Sequence, residues 1–192
     1  MVIGVTGNSG TGKTLICNFW EQWGASIISA DKIGWEVLRE PKVREEIKRT
    51  FGRRIAGEET INRKKIGEIV FKNKEKLELF NSIVHPVLLE RLKESIENCK
   101  EDIVVVDVAL IVEWGIQDWF DYLILIDSRE EVKRLRLKRL GVPEDAISGR
   151  LNSQVKPSKA KEFADFVIKN NGSVTEVRKK TREIWNKIIE FP

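Results

Sequence analysis

The 192-residue chain predicts an α/β fold: a three-layer sandwich with a five-stranded parallel sheet, a helical insertion after the second strand and a second helical segment after the fourth. Three observations lead there. Short apolar runs rich in Val and Ile recur between longer helical patterns, as expected for parallel strands covered on both faces. The first run passes directly into a glycine-rich loop and then a helix. Two stretches, 32–100 and 129–161, carry no strand pattern and read as helical.

Taken in order, MVIGV at 1–5 is the first strand, and GNSGTGKT at 7–14 follows it. The spacing G-x-x-x-x-G-K-T cradles a polyphosphate, because glycines permit backbone angles that turn amides inward and the helix N-terminus adds partial positive charge. Gly7, Asn8, Ser9, Gly10, Thr11 and Gly12 form this cradle. Lys13 is placed to reach the β- and γ-phosphates of ATP and Thr14 to ligate Mg²⁺. LICNFWEQW continues as a helix. ASIIS at 25–29 is the second strand, and Asp31 follows it, either as an N-cap or as a carboxylate that accepts the proton of an acceptor hydroxyl.

RKKIGEIVFKN and KLELFNSIVHPVLLERLKESIENC repeat apolar residues at helical spacing, with His85-Pro86 marking a kink or restart. The only histidine, His85, lacks the companions a metal site needs. DIVVVDV at 102–108 is the third strand. Asp107 at its end sits where a carboxylate helps hold Mg²⁺ or caps a loop. DYLILID at 121–127 is the fourth strand. The basic segment 129–161 reads as a lid broken at Gly141-Val142-Pro143 and Pro157, whose arginines Arg134, Arg136, Arg139 and Arg150 are candidates to clamp phosphates. DFVIKN at 165–170 is the fifth strand, and a capping box, Ser173 with Glu176, opens the closing helix. Trp20, Trp23 and Trp185 lie on helical faces suited to the core. Trp35 and Trp114 follow strand ends, where stacking on an adenine competes with the commoner core role.

Hydrophobic residues make up 41% and charged residues 33%, the balance of a soluble globular chain, and no run is long enough to cross a bilayer. Without a signal-peptide pattern, the expected location is cytoplasmic, with no membrane partner. Cys17 and Cys99 lack metal or disulfide spacing. The net charge of +4 suits phosphorylated ligands and does not by itself require nucleic acid. The architecture is that of a P-loop NTPase or kinase, with chemistry expected just past the strands, at Asp31, Asp107, Glu113 and Asp127.

In order and spacing, GNSGTGKT, ISADKIGWEVL, NRKKIGEIVF, LFNSIVHPVLLERL, VVVDVALIVEWG, RLKRLGVPEDAISGRLNSQ and ADFVIKNNGS resemble the dephospho-CoA kinase family over nearly the whole chain. The resemblance implies transfer of the ATP γ-phosphoryl, with Mg²⁺, to the ribose 3′-hydroxyl of dephospho-CoA. It implies a nucleotide core at 1–31, 101–128 and 163–192, an acceptor-binding insertion at 32–100 and a lid at 129–162. Asp31 falls on the residue proposed to activate the hydroxyl; Arg63, His85 and Glu113 fall on acceptor-site positions. Arg139 falls on the arginine that meets the ATP phosphates, and Asn171-Gly172 on the loop beside adenine. Nucleic acid is not among the expected partners, and a monomer is the default, an oligomer the alternative. The family's D-x-D reads Ser29-Ala30-Asp31, its V-P-L reads Val108-Ala109-Leu110, and a lid lysine position holds Ala160 beside Lys161. Two other readings keep the loop: a kinase for another nucleoside or nucleotide, and a nucleotide-binding module without kinase chemistry, which salt-sensitive nucleic-acid binding would favour.

Overall fold

The apolar runs fold as β1 (Val2–Thr6), β2 (Ser26–Ser29), β3 (Val104–Asp107), β4 (Tyr122–Asp127) and β5 (Phe166–Lys169), in one parallel sheet of order β2-β3-β1-β4-β5. The computed structural model describes residues 1–55, 57, 59–153 and 157–190. β1 pairs with β3 from Val2↔Val104 to Val5↔Asp107 and with β4 from Ile3↔Tyr122 to Thr6↔Leu125. β4 carries β5 from Ile124↔Phe166 to Asp127↔Lys169. From β1 the chain passes to the edge strand β2, returns to β3 beside β1, and then crosses to β4 and outward to β5. The loop after β1 therefore opens at the point where the strand order reverses, the place where such sheets bind ligands.

Ten helices are described: α1 (Lys13–Gln22), α2 (Ala30–Val37), α3 (Pro41–Phe51), α4 (Arg63–Val70), α5 (Lys74–Glu97), α6 (Ile111–Trp114), α7 (Glu130–Arg139), α8 (Glu144–Ser153), α9 (Pro157–Lys161) and α10 (Val174–Glu190). They divide between two compact units, Met1–Ile28 with Cys99–Pro192, and Ser29–Asn98. In the larger unit Ile3, Val5, Ile124 and Ile168 of the sheet bury against Ile16 and Trp20 of α1 and Val177, Trp185 and Ile188 of α10. Trp185 stacks on Trp20 at 6.0 Å between ring centroids and meets Trp23 at 6.1 Å. Trp20 and Trp185 take the core role that their helical spacing suggested, and Trp23 packs against them partly buried. The capping box forms as read: Ser173 N–H donates to Glu176 at 2.8 Å, and Glu176 N–H donates to Ser173 Oγ at 3.3 Å.

The smaller unit packs α2, α3 and α4 around the long α5, burying Ile33, Val37, Val43, Ile47, Ile66, Val84, Leu88 and Leu92. Asn62 and Asn73 cap α4 and α5, accepting from Lys65 N–H at 3.1 Å and Lys76 N–H at 2.9 Å. Of the two outcomes expected at His85-Pro86, a restart does not occur: α5 continues through the pair. Pro86 removes one backbone donor, but the turns on either side retain theirs, and burial of Ile83, Val84 and Leu88 holds the helix together across the gap.

Candidate active site

Glycine decides the shape of the loop after β1. Gly7, Gly10 and Gly12 have φ of 145°, 79° and 90°, where side chains are strained, and a Cβ on Gly7 would strike the Ile126 carbonyl, one on Gly12 the Asn170 side chain. Thr11 closes the turn, donating from Oγ1 to the Asn8 carbonyl at 2.8 Å. Gly12 stands as N-cap of α1 with no capping side chain, so the first-turn amides of α1 face the loop. Lys13 Nζ donates to the Gly7 carbonyl at 2.7 Å, which holds the ammonium over the cradle. Thr14 is exposed on the first turn of α1. The result is a set of donors with the Lys13 ammonium held over it, suited to a polyphosphate.

Asp107 ends β3 beside Val5, next to the strand that feeds the loop. Burial pushes the Cys17 thiol far up, and the nearby Asp107 carboxylate pushes it the same way while Lys13 opposes. Asp107, Lys13 and Cys17 are thus in one electrostatic neighbourhood, with Cys17 buried and inert. The oxygen donors Thr14 and Asp107 suit a hard cation that takes its remaining ligands from phosphate and water. No group of three or more His, Cys, Asp or Glu side chains gathers among the described residues, so an all-protein metal cage is not present there. Glu113 is exposed in the short α6 just past β3, and Asp127 ends β4.

The arginines of α7 and α8 separate. Arg134 is committed to carboxylates, at 2.9 Å from Glu130 and 2.9 Å from Glu144, and fastens α7 to α8. Arg139 is exposed at the end of α7. The side chain of Arg150 lies outside the described residues. Arg136 points inward: it donates to the carbonyls of Gly10 (3.2 Å), Thr11 (3.1 Å) and Asn170 (3.1 Å), and to Asn170 Oδ1 at 2.9 Å and Ser128 Oγ at 3.2 Å. Burial lowers its pKa from the ordinary arginine value. Asn170 adds a bond from Nδ2 to the Thr11 carbonyl at 2.8 Å, and Ser128 Oγ donates to the Asn170 carbonyl at 2.7 Å. Thr11 and Asn170, each 1% exposed, and Ser128 thus lock the loops after β1, β4 and β5 together from behind. The sequence reading singled out neither Ser128 nor Asn170, and left Arg136 as one of four; an Asn closing an apolar strand pattern was the available signal. Asn171 accepts from Arg129 N–H at 2.7 Å, and Gly172 follows in the exposed turn before α10.

In the smaller unit the choice left open at Asp31 resolves in part. The N-cap of α2 is Ser29, which accepts from Lys32 N–H at 3.4 Å, and Asp31 stands exposed in the first turn. The capping role is therefore filled by Ser29, two residues ahead of Asp31. Trp35 is 51% exposed, against the commoner core role, and the Arg63 guanidinium lies 4.3 Å from its ring centroid. His85 is half-buried on α5, and burial pushes its pKa below the ordinary 6.5.

The sequence model of one family, described as dephospho-CoA kinase, matches residues 1–176. The chain belongs to the dephospho-CoA kinase family. A dephospho-CoA kinase of Aquifex aeolicus is 33% identical over 193 residues, covering 99% of this chain and 98% of the relative. The solved dephospho-CoA kinase of Campylobacter jejuni superimposes with a TM-score of 0.66 at 27% identity, covering 97% and 96% of the two chains. Shikimate kinase of Acinetobacter baumannii, at 16% identity and a TM-score of 0.59 over 98% and 93%, shares the fold. As a member of the dephospho-CoA kinase family, the protein is an ATP-using phosphotransferase with an alcohol acceptor. No described helix is long and apolar enough to cross a membrane.

Proposed function

We propose that this enzyme transfers the γ-phosphoryl of ATP to the ribose 3′-hydroxyl of dephospho-CoA, giving coenzyme A and ADP in the cytoplasm. The observation that supports this most directly is the left-handed Gly7–Gly10–Gly12 cradle leading into α1, with Lys13 held over it, in a chain of this family. Loop amides and Lys13 bind the β- and γ-phosphates, and Thr14 with Asp107 holds Mg²⁺. When bound, that ion offsets negative charge on the phosphate oxygens. Asn171 and Gly172 lie beside the adenine of ATP. Arg139 comes from the lid, residues 129–162, to meet the charge that develops on the transferring group. Asp31 accepts the proton of the attacking hydroxyl, and its exposed place at the start of α2 leaves it open to an acceptor. Arg63, His85 and Glu113 hold the acceptor, whose site belongs mainly to the insertion 32–100.

The test is incubation with Mg-ATP and dephospho-CoA, following coenzyme A and ADP by chromatography against a control without acceptor. Equal, acceptor-dependent amounts of both are expected. ADP without coenzyme A would move the reading to another acceptor.

A further inference from the structure

The insertion exposes an aromatic side chain beside the proposed base, and its surroundings select a ligand. Asp31 and Trp35 lie four residues apart on α2, so they share a face about 6 Å apart along the axis. Both are exposed, Trp35 by 51%. An indole in that position has an unfavourable amount of apolar surface in water, and it is held rather than left to rotate, because the Arg63 guanidinium covers its ring at 4.3 Å. The helix beneath cannot drift either. A Cβ on Gly34 would already lie 3.2 Å from Leu88 Cδ1, so α2 is seated closely on α5, on the face that carries His85 one turn away.

We propose that Trp35 is an acceptor-binding residue: its indole is the platform on which the purine of the acceptor nucleotide stacks, with Arg63 fixing the ring. In an acceptor whose reacting hydroxyl is on a ribose, the base is attached across that same sugar ring. A carboxylate at the hydroxyl therefore requires its base-recognition surface about one sugar away, and one helical turn supplies that spacing. An aromatic face binds any purine through its π-surface, and the adjoining guanidinium adds positive charge for the phosphates of the same nucleotide. Phe71, also exposed in this unit, lacks both features: it lies against its own helix at Gly67 and is remote in sequence from the carboxylate. The inference rests on Asp31 being the base.

The experiment compares Trp35→Ala, Trp35→Phe and Asp31→Asn with the unmodified enzyme. A base-aromatic stack implies that Trp35→Ala raises KM for dephospho-CoA roughly 5- to 100-fold, with KM for ATP unchanged and kcat less affected. Trp35→Phe should recover most of the loss. Independently of turnover, dephospho-CoA added without ATP should quench the tryptophan fluorescence of the unmodified enzyme, and the quench should be absent from Trp35→Phe. An unchanged KM for dephospho-CoA in a folded Trp35→Ala, or an equal quench in Trp35→Phe, overturns the proposal. A wrong assignment of Asp31 shows elsewhere, as near-normal kcat in Asp31→Asn.

Discussion

Lys13 and Asp31 carry opposite halves of the proposed chemistry, and each can be removed without touching the core. Lys13→Ala and Asp31→Asn should both abolish measurable turnover, the latter by about 10² to 10⁴ if it acts as base, while melting temperatures stay within a few degrees. Steady-state kinetics alongside circular dichroism checks both. Gly12 is constrained differently: at φ 90° and against the Asn170 side chain, Gly12→Ala meets backbone strain and a clash together. It should cost roughly 1–3 kcal/mol in urea unfolding and weaken ATP binding. Ser29 has a narrower role. Because its Oγ caps α2, Ser29→Ala should cost about 1 kcal/mol and leave turnover near normal, which separates capping at Ser29 from catalysis at Asp31.

At the scale of elements, the helices that were plain in the sequence are those with long apolar periodicity and side-chain caps. The helix over residues 74–97 shows both, and Asn73 begins it. The Pro41–Phe51 helix was not singled out, because seven of its eleven residues are charged or proline and only Val43 and Ile47 are buried. Its Pro41 start and the cover of the long neighbour hold it, a tertiary effect that propensity does not display. The half-buried His85 gives this bundle a pH dependence. Its folded pKa lies below 6.5, so the unfolded chain binds the proton more readily. The stability tied to neutral His85 is complete above about 6.5 and is lost as pH falls below it. Thermal melts between pH 7.5 and 5 should show a decline that His85→Gln reduces.

Across the whole molecule, Arg136 does what no single element can. Its guanidinium joins the turn after β1, the start of the β4–α7 connection and the end of β5, with no carboxylate partner among the described residues. Arg136→Met removes the guanidinium's bonds to Gly10, Thr11, Ser128 and Asn170, although Asn170 Nδ2 and Ser128 Oγ still reach the Thr11 and Asn170 carbonyls, and should destabilise by about 2 kcal/mol, or roughly 4–8 °C in Tm for a chain of this size. KM for ATP should rise with it, since the loop loses its brace. Differential scanning calorimetry and ATP-dependent kinetics read the two effects. Arg134, tied to Glu130 and Glu144 on the surface, should move both by far less.

Strand positions, the parallel sheet, the phosphate loop and the family were all legible in the chain, because each is written in local signals. Val- and Ile-rich runs need burial on both faces, and G-x-x-x-x-G-K-T needs only consecutive residues to make its cradle. Only the tertiary structure decided which of several equivalent side chains turns inward. Arg134, Arg136 and Arg139 share one helix and one composition, yet Arg136 alone among these three meets the carbonyls behind the loop, because its helical phase points there. In the same way Ser29, not Asp31, took the cap, Pro86 did not break its helix, and Trp35 remained at the surface. Each outcome depends on what lies across space from the residue, and that is set by packing between segments far apart in the chain.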